Sequence, residues 1–94
     1  MRPKKRPPSH PGEILQRIYL DDMGLTQTDL ARHLNWKPGK INEIVKKRRG
    51  ITAETALAFA DALNTSPELW LNLQSNYDLW HAEQDHKKVQ AIGA

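Results

Sequence analysis

The chain has 94 residues, enough for one domain with a modest core, and its lack of cysteine excludes disulfides, thiol catalysis and thiolate metal sites. No apolar run approaches the ~20 residues that cross a bilayer, and no run of signal-peptide length follows the basic start "MRPKKRPPS", so a cytoplasmic protein is expected. The net charge of +3 is uneven: residues 1–50 hold twelve Lys or Arg against five Asp or Glu (+7), and residues 51–94 hold two against six (−4), which suits a polyanion for the first half alone.

The chain reads as a flexible basic arm over 1–9, with three prolines and four cations, followed by one domain over 10–94 built from helices alone. The first helix is predicted from Pro11 to about Asp22, with Ile14, Leu15 and Ile18 as its apolar stripe and Gly24 as its stop. Thr26 reads as the N-cap of a second helix over about 27–34, and Asp29 places a carboxylate near its start. Asn35 suits a left-handed close, and Pro38 opens a third helix that runs to about Lys46 or Lys47. A fourth helix is predicted after Thr52, with Ala56, Leu57, Ala60 and Leu63 on one stripe. "NTSPE" then ends it and starts a fifth at about residue 67: Ser66 caps, Pro67 takes the first turn and Glu68 complements the dipole. That helix carries Leu69, Trp70, Leu73, Tyr77 and Trp80 and is predicted to continue towards Lys88, leaving "AIGA" frayed.

Two short helices joined by a tight turn at about 26–47 form either a helical hairpin or a DNA-binding helix-turn-helix. The second of them turns Ile41, Ile44 and Val45 to one side and Gly39, Glu43 and Lys46, flanked by Lys40 and Asn42, to the other. Those polar groups can meet base edges or phosphates. The run "KKRR" at 46–49 follows where a phosphate backbone would lie. Gln27 stands at a helix start, where amides favour phosphate.

The stretch "LTQTDLARHLNWKPGKINEIVKKRRGIT" resembles the Cro/repressor-type (XRE) helix-turn-helix. The wider pattern resembles the HigA-type antitoxins of toxin–antitoxin modules through "HPGEIL" at 10–15, "GLTQ" at 24–27, "INEIV" at 41–45, "RGIT" at 49–52, "TAL" at 55–57 and "SPELWLNLQ" at 66–74. Lys46 and Lys47 depart from it, since the family often has an Asn-Gly-like ending there, and a left-handed cap is costlier for lysine than for glycine.

The resemblance implies an all-α, five-helix Cro/repressor-like (lambda-repressor-like) domain without enzymatic activity or cofactor. It implies a homodimer that represses transcription from its own operator and neutralises a HigB-type ribonuclease toxin. The alternative is a stand-alone XRE-type repressor with no toxin partner. By position, Gln27 matches the glutamine that supports phosphate contact and the recognition helix. Lys37, Pro38, Gly39, Lys40, Asn42 and Glu43 match the stretch that enters the major groove. Lys46 and Arg49 match positions near phosphate, and Lys47 lies between them. Chemistry pairs Lys40 with guanine and Asn42 with adenine, although Asn42 could instead tie down the local backbone.

Trp36 is expected to plug the gap between helices more than to touch a sugar-phosphate backbone. Trp70, Tyr77 and Trp80 are read as core or as the dimer seam. His81 and Asp85 have metal-pair spacing but lack an obvious third ligand, so no metal is expected. His10 and His33 are read as surface or capping residues.

Overall fold

The computed structural model describes residues 6–93. Among the described residues there are five helices and no strand: α1 over residues 11–23, α2 Gln27–Leu34, α3 Pro38–Val45, α4 Ala53–Leu63 and α5 Pro67–Asp85. Residues 1–5 of the expected basic arm lie outside the described residues, as does Ala94; Arg6 and Pro7 are exposed.

Each helix start but that of α3 has a side-chain cap. His10 Nδ1 accepts from the Gly12 N–H at 2.9 Å, and Pro11 takes the first turn of α1. Thr26 Oγ1 accepts from the Asp29 N–H at 3.0 Å while Asp29 Oδ2 accepts from the Thr26 N–H at 2.9 Å. This is a full capping box with Asp in the place usually taken by Glu or Gln. The Thr26 backbone N–H, and then its hydroxyl, hold the Asp29 carboxyl below the ordinary carboxylate range. Thr52 and Ser66 cap α4 and α5 through the N–H groups of Thr55 and Leu69. Gly24, Asn35 and Asn64 close α1, α2 and α4 in the left-handed conformation.

The middle of α1 departs from the predicted pattern. Leu15–Leu20 is π-helical, with hydrogen bonds that reach one residue further than in an α-helix. The wider turn buries Leu15 and Leu20 completely, although they are five residues apart, and swings Ile18 out to 52% exposure. Ile18 is therefore not on the core stripe, where a regular period would have placed it.

The core joins Leu15 and Leu20 of α1, Leu30 and Ala31 of α2, Ile41 and Ile44 of α3, Phe59 and Leu63 of α4, and Trp70 of α5. Phe59 completes the α4 stripe in place of Leu57, which is 55% exposed. Trp70 is wholly enclosed: it packs on Phe59 and Tyr19, and its indole N–H donates to Thr65 Oγ1 at 2.8 Å. It belongs to the core and offers no surface to a dimer partner. The last helix stops at Asp85, short of Lys88, with His86 extended. Every described residue beyond Trp80 is exposed, so no packing supports further turns.

Gly12 permits one unusually close crossing. A Cβ there would lie 1.9 Å from the Ile44 carbonyl oxygen and 2.9 Å from the Val45 Cα, so α1 meets the end of α3 backbone to backbone. Only glycine allows that approach.

Candidate nucleic-acid interface

Two pairs of buried residues, Leu30 and Ala31 on α2 and Ile41 and Ile44 on α3, anchor the short helix pair to the rest of the domain. Between the helices, the Asn35 backbone turns left-handed (φ 58°), and the Trp36 N–H donates back to the Ala31 carbonyl at 2.8 Å. Trp36 then does more than fill the gap. One side of its half-buried ring meets Phe59 at 5.9 Å, and the Lys40 ammonium stands 3.8 Å from its centroid. The ring thereby links the core to a cation on α3 and fixes where that cation sits.

Trp36, Lys37, Gly39, Lys40, Glu43 and Arg49 line a hollow of about 340 Å³. Arg49 Nη2 donates to Glu43 Oε1 at 2.8 Å, with both side chains about half exposed. Arg49 is thus engaged by a carboxylate of the same surface, and it would have to exchange that partner for a phosphate. Pro38 is exposed at the first turn of α3.

A second group is held by side-chain amides. Asn42 Nδ2 donates to Gln27 Oε1 at 3.1 Å, Gln27 Nε2 donates to Gln16 Oε1 at 3.0 Å, and Gln16 Nε2 donates to Asp21 Oδ1 at 2.7 Å. Asn42 is therefore tied to α2 by its side chain and does not cap the backbone. Gln16 and Asp21 were not visible as site residues in the sequence. They lie on α1, and only the packing of α1 beside α2 brings them to Gln27.

The end of α3 is exposed and cationic. Lys47 takes a left-handed φ of 65°, its N–H donates to the Ile44 carbonyl at 3.1 Å, and the Arg48 N–H donates to the Glu43 carbonyl at 2.8 Å. This Schellman closure normally employs glycine. It projects Lys46, Lys47, Arg48 and Arg49 from one tight turn, all of them exposed.

Behind that turn lies His10. It is buried, and its ring meets Tyr77 edge-on at 4.8 Å. Burial, and then repulsion from Lys47, lower its pKa below the ordinary 6.5; Asp78 and Glu13 oppose the shift. His10 is a capping residue, as one reading of the sequence allowed, but it is not on the surface. Tyr77 also packs on His81 at 4.3 Å, and half-buried Trp80 meets His81 at 5.0 Å. Among the described residues no group of three or more His, Cys, Asp or Glu could hold a metal, and no helix is long and apolar enough to cross a membrane.

Comparison with known proteins agrees with this geometry. A helix-turn-helix family model matches residues 16–70. The chain is 48% identical to virulence-associated protein I of Dichelobacter nodosus, over 92% of this chain and 80% of that protein. It is 33% identical to antitoxin HigA-1 of Vibrio cholerae serotype O1, over 94% of this chain and 83% of that one. Among solved structures, antitoxin GraA in complex with its operator superposes with a TM-score of 0.85 at 39% identity, covering all of this chain and 99% of that one.

Proposed function

The chain belongs to the XRE-type helix-turn-helix family that includes the HigA antitoxins, and from that premise we propose an antitoxin that binds its own operator as a repressor and neutralises a HigB-type ribonuclease toxin. The observation that carries the DNA-binding part is the full-length likeness to an antitoxin bound to its operator. The geometry of α2 and α3 supports it: apolar Ile41 and Ile44 are inside, while Lys40, Asn42, Glu43 and a four-cation turn lie at or near the surface. In this reading α3 enters the major groove with Lys37, Pro38, Gly39, Lys40, Asn42 and Glu43, and Gln27 steadies it. Lys46, Lys47 and Arg49 meet phosphates, which position the protein without reading sequence.

A single recognition helix makes few contacts, and helix-turn-helix proteins commonly pair two of them on half-sites one helical turn apart. The reading therefore includes a homodimer on a palindromic operator. Trp80 and the outer edge of Tyr77 remain candidates for the seam, whereas Trp70 is fully enclosed. A basic ribonuclease would be repelled by the α3 face and attracted by the acidic half, where Glu54, Asp61, Glu68 and Glu83 are exposed.

The test has two arms. Binding to DNA from upstream of its own gene, measured against random DNA, should reach a Kd of about 10⁻⁸ M or tighter at physiological salt, with a dimer by light scattering. Equal affinity for both DNAs would overturn the repressor. Co-purification with the product of the adjacent gene tests the antitoxin. Operator binding with no such partner would leave the stand-alone repressor.

A further inference from the structure

The amide chain from Asp21 to Asn42 has a direction, and the direction has a consequence for base recognition. A carboxylate accepts hydrogen bonds and donates none. Asp21 Oδ1 therefore draws the NH₂ end of Gln16, which presents Gln16 Oε1 to Gln27. Gln27 must then offer its Nε2 to Gln16 and its Oε1 to Asn42. Asn42 must offer Nδ2 to Gln27, so its Oδ1 and its second Nδ2 hydrogen are the groups left for a partner. Each amide could be turned over by itself at little cost, because its two ends have nearly the same shape. The carboxylate at the end of the row favours one orientation for all three, by the worth of its exposed hydrogen bond to Gln16.

We propose that Gln16 and Asp21 are specificity-determining positioning residues: they set the orientation of the Asn42 amide and so make it favour adenine over guanine or thymine. Adenine offers an N6 amine and N7 to the major groove, matching an oxygen beside an N–H. Guanine offers two acceptors there, and thymine offers an acceptor and a methyl group. The inference rests on α3 being the reading helix. It adds that the reading is controlled from α1, by two residues that belong to neither helix of the helix-turn-helix.

The experiment measures binding of the full chain to its operator and to a set of operators substituted at every position, for four variants. Asn42→Ala locates the base pair that Asn42 reads, as the position where the preference is lost. Gln16→Leu interrupts the row, and should flatten the preference at that same position by roughly two- to tenfold, the worth of about one net hydrogen bond. In the Gln16→Leu/Asn42→Ala double variant the first change should have no further effect there. Asp21→Lys replaces the terminal acceptor by a donor. It should turn the row over, present Asn42 Nδ2 outward, and move the preference from adenine towards guanine or thymine.

A gain in general DNA affinity from the added lysine does not mimic this result, because the readout is the base preference at one position. Thermal melting of each variant confirms that it is folded. A preference altered by Asn42→Ala but unchanged in Gln16→Leu and Asp21→Lys would overturn the relay and leave α3 as the reader. A preference untouched by Asn42→Ala would overturn both the relay and the role of Asn42.

Discussion

The two ends of α3 solve the same problem in opposite ways. At its start the chain arrives through a left-handed Asn35, a residue that tolerates this conformation, and Pro38 and Gly39 are exposed with open space around Gly39. At its finish the left-handed position is filled by Lys47, which does not favour it, and the Ile44 carbonyl is pressed against Gly12. The start is locally easy and loosely surrounded. The finish is locally strained and held by another helix. Backbone strain of this kind persists only where surrounding structure imposes it, and it gathers at functional sites. Here it places a cation at the turn where a phosphate is proposed to lie.

The largest test of that contrast compares two glycines. Gly12→Ala drives a methyl group into the Ile44 carbonyl, and since both sides are backbone neither can yield cheaply. A loss of about 3 kcal/mol is expected, or roughly 12–24 °C in Tm for a domain of this size. Gly39→Ala, where an added Cβ meets nothing within 4 Å, should instead raise stability by about 0.5–1 kcal/mol. Operator affinity should fall even so, since the methyl group stands where α3 is proposed to approach DNA. Equal melting temperatures for the two variants would erase the distinction between the ends.

A smaller effect compares the two left-handed positions. Lys47→Gly relieves a conformational cost of about 1–2 kcal/mol and adds back about 0.5–1 kcal/mol of unfolded-state entropy. The net gain should be near 1 kcal/mol, while affinity for every DNA falls and the salt slope drops by about 0.9 for one lost phosphate contact. Asn35→Gly should change stability and salt slope much less. Chemical denaturation and salt titration of both variants decide this, and a destabilised Lys47→Gly would show that no strain is stored there.

The smallest effect is a pH dependence. His10 resists protonation in the fold, with its pKa lowered by burial and then by Lys47. As pH falls through 6.5 the unfolded chain takes up a proton that the folded chain resists, so stability declines below that pH and levels off at the folded pKa. His10→Asn keeps a cap without a titrating ring and should flatten the stability curve below about pH 6.5. Lys47→Gly should give an intermediate slope, because one of the two causes is removed. Identical slopes for wild type and His10→Asn would overturn the role of His10.

Much of the fold was legible because its signals are local. Thr26, Thr52 and Ser66 announce helix starts through bonds that span three residues, and Asn35 announces a turn through its own backbone preference. The outward arc of α3 was legible for the same reason, since helical spacing separates Ile41 and Ile44 from Lys40 and Glu43. What failed in α1 was the regular period itself. It placed Ile18 inside, because nothing in "LQRIYL" marks a π-helical turn; in α4 the period holds, with Ala56, Phe59, Ala60 and Leu63 buried, and it was the choice of Leu57 that departed from it.

The sequence by itself determined that there would be five helices, one tight helix-turn-helix and a basic face opposed to an acidic half. Caps, turns and charge counts act over a few residues and do not depend on what packs against them. Only the tertiary structure decided that Trp70 is core and not seam, that Arg49 is paired with Glu43, and that a carboxylate on α1 orders the amides down to Asn42. The first and last depend on which side chains meet across helices and the second on how the turn after α3 closes, and a hydrogen bond between residues 11 or 15 apart in sequence exists only once the helices have packed.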